Sequence, residues 1–370
     1  MRRRPLAAVL MSAVILIGFV AATVIAKPEV GAAAAEKIYS GTLYIAGMGG
    51  HFAKADVVID PSDEKQPIKI SQLGRVVIGN KDTHPVHDPR IDVKDRTKMY
   101  WSTYHTDPGG QVHVGVSDLK TGNVIKDVAL ALDPRAKVKR SVYCASGQTA
   151  NSYLPVTMTD EAYIDVFEKT TLTLKHRVFL DYKPGETKFY HGINSPDMKK
   201  FLVAVNRVEA GDPNGKIDLI LLDLPQLENG KAQVLAKNTV EGSPGDTISF
   251  RQYFSNDGKR IYQSGADRLL VIDAETLKLI SFAELPDGTE AHDAMPTPDD
   301  KYVLLSVRKL VAAPGTEGKE ILDGVLMLYD VGASKIINKP VSVCASCHGQ
   351  MGLYTSAMLC GIDANWSNGR

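Results

Sequence analysis

The sequence predicts an all-β chain built from one repeated unit of short strands. Three observations carry that prediction. Helical periodicity is hard to find after Lys37. Short runs rich in Val, Ile, Leu, Tyr and Thr alternate with Gly, Pro, Asp and Asn turns. A degenerate Ser/Thr-Pro/Asn-Asp turn recurs along the chain, each time followed by a strand.

The elements follow in order. Arg2, Arg3 and Arg4 precede a charge-free stretch from Pro5 to Ala26, and Ala33-Ala34-Ala35 offers a small-residue cleavage site. Residues 1–36 are therefore expected to be a signal peptide or a membrane anchor helix. The apolar run approaches the roughly 20 residues that span a bilayer, which keeps the anchor in view. Either way the rest of the chain is expected outside the cytoplasm, in the periplasm or an equivalent compartment. Strands are expected at Lys98–Tyr104, Gln111–Val116, Phe201–Val205 and Arg268–Asp273. The recurring turns are Ser195-Pro196-Asp197, Ser255-Asn256-Asp257 and Thr297-Pro298-Asp299. Each unit then has a hydrophobic strand ending in Asp: Asp223, Asp273 and Asp330. Ser117-Asp118 closes the same unit earlier.

This pattern resembles the bacterial YVTN/WD40-like β-propeller repeat, whose four-stranded blade recurs roughly every 40–60 residues. The resemblance covers about Tyr39 to Val343. It implies a six- or seven-bladed β-propeller over residues 37–343. Strands around Thr42–Ile59 are expected to complete a blade with the C-terminal segment, 344–370, removing exposed sheet edges.

That last segment contains Cys344-Ala345-Ser346-Cys347-His348, the attachment signature of c-type haem. Cys344 and Cys347 would hold the porphyrin through thioethers, and His348 would be the axial ligand to iron. Met351 and Met358, the only methionines downstream, lie close to the motif, so a sixth ligand is expected from elsewhere. Together, propeller and motif resemble propeller subunits of periplasmic haem enzymes: amine dehydrogenase heavy chains, cytochrome cd-type nitrite reductases and hydrazine synthase. The resemblance implies haem c as cofactor, electron transfer as function, and a redox partner protein or further oxidoreductase subunits as partners. A small-molecule substrate fits the same reading.

In a propeller, residues just before the recurring turn tend to line the axial channel. Here these are His191, Arg251 and His292, with His84, His87 and Cys144 at the corresponding earlier positions. His191 and His292 are the candidate distal or channel ligands; the ordinary alternative is a structural hydrogen bond between blades. His113 is read as a plain strand-face residue. Cys360 is either a buried thiol or the partner of Cys144.

Two other functions stand beside the haem reading. One is a copper-dependent propeller oxidoreductase, with His84, His87, His191 and His292 as ligands and the C-x-x-C-H fortuitous. The other is a metal-free propeller that binds a partner protein. Lys and Arg together number 43, as do Asp and Glu, so the formal net charge is zero and nothing points to nucleic acid. Contact with a membrane is expected only through an uncleaved N-terminal segment. No dinucleotide fingerprint, P-loop, nucleophile elbow or calcium loop occurs.

Overall fold

A computed structural model of the chain describes residues 37–135, 142–158, 162–183, 185–312, 320–343 and 359–367. The N-terminal segment 1–36 and the haem motif, Cys344, Cys347 and His348, lie outside the described residues.

The described strands form six four-stranded antiparallel sheets, the blades of a six-bladed β-propeller. The first blade joins β1 (Tyr39–Ala46), β2 (His51–Ile59) and β3 (Ile68–Val77) to the last strand, β24 (Ile362–Trp366). The second holds β4 (Arg90–Ile91), β5 (Lys98–Ser102), β6 (Gln111–Asp118) and β7 (Val124–Ala131). The third holds β8 (Tyr143–Gln148), β9 (Ser152–Thr157), β10 (Tyr163–Glu168) and β11 (Thr173–Phe179). The fourth holds β12 (Thr187–Asn194), β13 (Lys200–Glu209), β14 (Asp212–Asp223) and β15 (Val234–Glu241), with the short helix α1 (Leu224–Glu228) before β15. The fifth holds β16 (Gln252–Phe254), β17 (Arg260–Ser264), β18 (Arg268–Asp273) and β19 (Leu279–Glu284). The sixth holds β20 (Thr289–Pro296), β21 (Tyr302–Ala312), β22 (Glu320–Asp330) and β23 (Lys335–Ser342).

Burial falls from the inner to the outer strand of a blade. β8 and β16 are buried throughout, whereas β7 alternates half-buried and exposed residues. Apolar side chains fill the spaces between blades. Leu154, Val156 and Ile164 of the third blade pack on Tyr190, Phe201 and Val203 of the fourth. Tyr262, Leu269 and Val271 of the fifth pack on Val303, Leu305 and Met327 of the sixth. Each large aliphatic side chain so buried contributes about 1.5–3 kcal/mol.

Two local devices repeat from blade to blade. At the first turn a hydroxyl braces the bend. Ser195 Oγ donates to Asp197 (2.6 Å) and accepts from Lys200 N (3.0 Å). Ser255 does the same with Asp257 (2.7 Å) and Arg260 N (2.9 Å). Thr297 takes that place with Asp299 (3.2 Å) and Tyr302 N (3.1 Å). Each of these turns needs one residue at positive φ: Met198, Gly258 and Asp300. At the end of the third strand, a carboxylate accepts from the backbone N–H three residues on. Asp118, Asp223, Asp273 and Asp330 accept from Thr121, Gln226, Thr276 and Ala333 at 2.7–2.9 Å. The sequence motifs are these two hydrogen-bonded bends.

β24 pairs antiparallel with β1, from Gly41 opposite Trp366 to Ile45 opposite Ile362. The first and last described strands therefore share one blade and close the ring.

Candidate functional site

The inner strands carry the site. Each blade sends one polar or sulfur side chain to the axis from its inner strand or the residues just before it. In blade order these are Cys360, His87, Cys144, His191, Arg251 and His292. All six are buried to 2% exposure or less. Cys360 Sγ lies against His87 Nε2, and Cys144 Sγ is 3.2 Å from His191 Nε2. The His87 and His292 rings meet edge to face at 5.8 Å between centroids. Phe250 stacks on His292 at 4.4 Å, and Tyr104 lies over His87 at 4.2 Å.

No protein-family model matches the chain, and no curated protein matches it. Solved structures do. One is a chain of a crystal structure of the mitotic checkpoint complex, with 10% identity, a TM-score of 0.46 and 89% of each chain covered. Another is the β-propeller domain of Cps50 (Swd1) from Myceliophteria thermophila, with 10% identity, a TM-score of 0.42, and 69% of this chain and 85% of that one covered. Similarity at that level says nothing of activity.

Arg251 sits across the ring. Its guanidinium pairs with Asp88, on the opposite blade, and with Asp293 at 3.0 Å, and it donates to the Cys144 carbonyl. Arg90 extends the plug: it pairs with Asp88 at 3.2 Å and donates to Ser146 O (2.6 Å) and Tyr253 Oη (2.8 Å). Beyond the plug a cleft opens between Arg96, Gln148, Asn194, Tyr253, Asp363 and Trp366. A chain of buried ion pairs thus separates that cleft from the histidines. Gly361 makes the crossing possible, because a Cβ there would stand 2.5 Å from the Arg251 guanidinium carbon.

Burial governs the titration of the ring. It lowers His191 to about 3. It holds His87 and His292 well below the usual histidine range, helped by the positive charges of Arg251 and Arg308. It raises the Cys360 thiol to about 11 against the pull of Arg308 and Arg251, and holds Cys144 well above the usual thiol range, with Cys360 the next cause. The imidazoles are therefore neutral at pH 7, with lone pairs open to a Lewis acid.

Of the channel residues expected from sequence, His87, Cys144, His191, Arg251 and His292 converge. His84 does not, so the four-histidine copper set fails to assemble. Its Nε2 faces Asp127 at 2.9 Å and its Nδ1 faces Thr83 Oγ1 at 2.9 Å. Nor is His113 a plain face residue: it bonds Asp127 at 3.0 Å and Asp107 at 3.3 Å, its ring 4.3 Å from that of His84. This second cluster is satisfied by its own hydrogen bonds. Cys144 and Cys360 are not joined to each other, each lying against a different histidine, so the disulfide alternative is not realised.

Cys360 is the axial residue that sequence reading did not place there. A signal existed: it stands two residues before the closing strand, as His87 stands three before β4.

Proposed function

We propose that this chain is an extracytoplasmic redox protein, a propeller that carries a covalent c-type haem and passes electrons within an oxidoreductase complex. The observation that carries the proposal is the C-x-x-C-H motif at Cys344, Cys347 and His348, supported by the N-terminal targeting pattern. The donor set fits haem: two thiols for the vinyl groups and one imidazole for iron. Haem so held would cycle one electron at a potential set by its second axial ligand and its surroundings. Val343 and Leu359, the described residues on either side of the motif, are both buried in one hydrophobic cluster. His191 and His292 suit a small ion better than a macrocycle, because Phe250 lies against both rings, at 6.1 Å and 4.4 Å between centroids. The sixth ligand of a haem at His348 is then sought outside the ring.

The test is production of the full chain in a host with haem-maturation machinery. A Soret band and haem that stays on the chain through denaturing electrophoresis are expected, and Cys347→Ser should remove both. Full haem staining in Cys347→Ser would refute the proposal. A colourless, folded wild-type protein would refute it too, leaving the metal-free interaction propeller.

A further inference from the structure

The haem reading leaves the most unusual chemistry of the fold unused. Around the ring, Cys360 of the first blade stands between His292 of the sixth and His87 of the second. One ligand atom from each of the three lies within 4.8 Å of the other two. That spacing suits a single ion, since metal–nitrogen and metal–sulfur bonds are about 2.0–2.3 Å long.

Three further observations separate this trio from an ordinary hydrogen-bonded cluster. First, His292 Nδ1 is buried with no hydrogen-bond partner, whereas both ring nitrogens of His84 and of His113 have one. Second, Arg308 Nη2 is 3.9 Å from Cys360 Sγ, so a positive charge stands beside the sulfur that gives up its proton when an ion binds. Third, the ligands are oriented by groups behind them. Ser306 Oγ donates to the Cys360 carbonyl at 2.8 Å, Phe250 sets the plane of His292, and Tyr104 that of His87.

We infer that His87, His292 and Cys360 bind one copper ion, as a trigonal centre of two imidazoles and a thiolate suited to one-electron transfer. Charge selects the metal. Around the trio the guanidinium groups of Arg90, Arg251 and Arg308 are matched by the carboxylates of Asp88, Asp293 and Glu290. One thiolate then leaves room for one positive charge before the buried site holds an excess. Cu(I) meets that condition and Zn²⁺ exceeds it. Coordination is compatible with this: Cys144 is turned to His191, so the fourth protein ligand of a structural zinc site is not at hand. The inference does not depend on haem.

The experiment uses the full chain, produced with copper in the medium, with metals counted by mass spectrometry. Spectra are recorded on Cys344→Ser/Cys347→Ser, which has neither a haem to mask a copper band nor a thiol in the motif, after oxidation by hexacyanoferrate(III). One copper per chain is expected, with an intense thiolate-to-copper band and a Cu(II) paramagnetic signal. Cys360→Ser and His292→Gln should each lower retained copper at least roughly tenfold and abolish the band. His84→Gln and Cys144→Ser should keep both, and melting curves establish that each variant is folded. If Cys360→Ser and His292→Gln fail to fold, the band in Cys144→Ser decides: its presence leaves Cys360 as the thiolate, and its loss overturns the assignment. Stoichiometric zinc in place of copper, less than a tenth of a copper per folded chain, or full copper in Cys360→Ser would each overturn it.

Discussion

His191 shows what the axis does to one side chain. Its ring is fully buried and its pKa falls from 6.5 to about 3 because the charged form cannot be solvated there. The unfolded chain protonates this histidine below pH 6.5 and the folded chain does not. The stability it confers is therefore complete above 6.5 and is lost as pH falls towards 3, at about 1.4 kcal/mol per pH unit. Chemical denaturation at pH 7, 6, 5 and 4 should show wild type losing stability faster than His191→Gln by that slope. Parallel pH profiles would contradict the burial argument. The residues of the ring were partly legible in the sequence. His191 and His292 precede recognisable turns and so announce their place. Cys360 has no such turn after it, and its strand pairs with the opposite end of the chain. Only the closed ring brings it beside His87.

At the scale of the element, the turn hydroxyls are the most legible feature. Ser195, Ser255 and Thr297 recur in sequence because each braces the same bend. Ser255 is 1% exposed, and its Oγ is a partner of Arg260 N. Ser255→Ala should cost about 1–2 kcal/mol, read as a lower denaturation midpoint at unchanged slope. No change would mean that the backbone alone sets the bend. Strands at the axis were the least legible. β4 is only Arg90–Ile91, in a stretch reading Pro-His-Asp-Pro. Its residues serve the axial ion pairs, and the alternation that marks a half-buried strand is absent. The outer strand β7, which does face water on one side, alternates as expected. Long strands such as β13 and β14 beside a two-residue β4 also blur the repeat spacing. This is why the sequence admits seven blades where the fold has six.

For the whole molecule, closure depends on five residues at the far end. β24 brings Ile362, buried completely, into the cluster that joins the blades, and Tyr253 Oη donates to the Ile362 carbonyl at 2.5 Å. A chain ending at Cys360 forfeits that burial, about 1.5–3 kcal/mol for Ile362 alone, and the ladder to β1. It should melt at a lower temperature than the full chain and be cut faster by protease between β1 and β3. An unchanged melting temperature would show that the ring does not need its clasp.

The order of synthesis gives this clasp a second meaning. Cys360 stands two residues before β24, so its thiol joins the axis only after the residues of the five other blades have been made. A nascent or truncated chain has the imidazoles of the axis but lacks their sulfur neighbour in place. Maturation of the centre is thereby tied to completion of the circle: a partial product has no finished trap in which to sequester an ion.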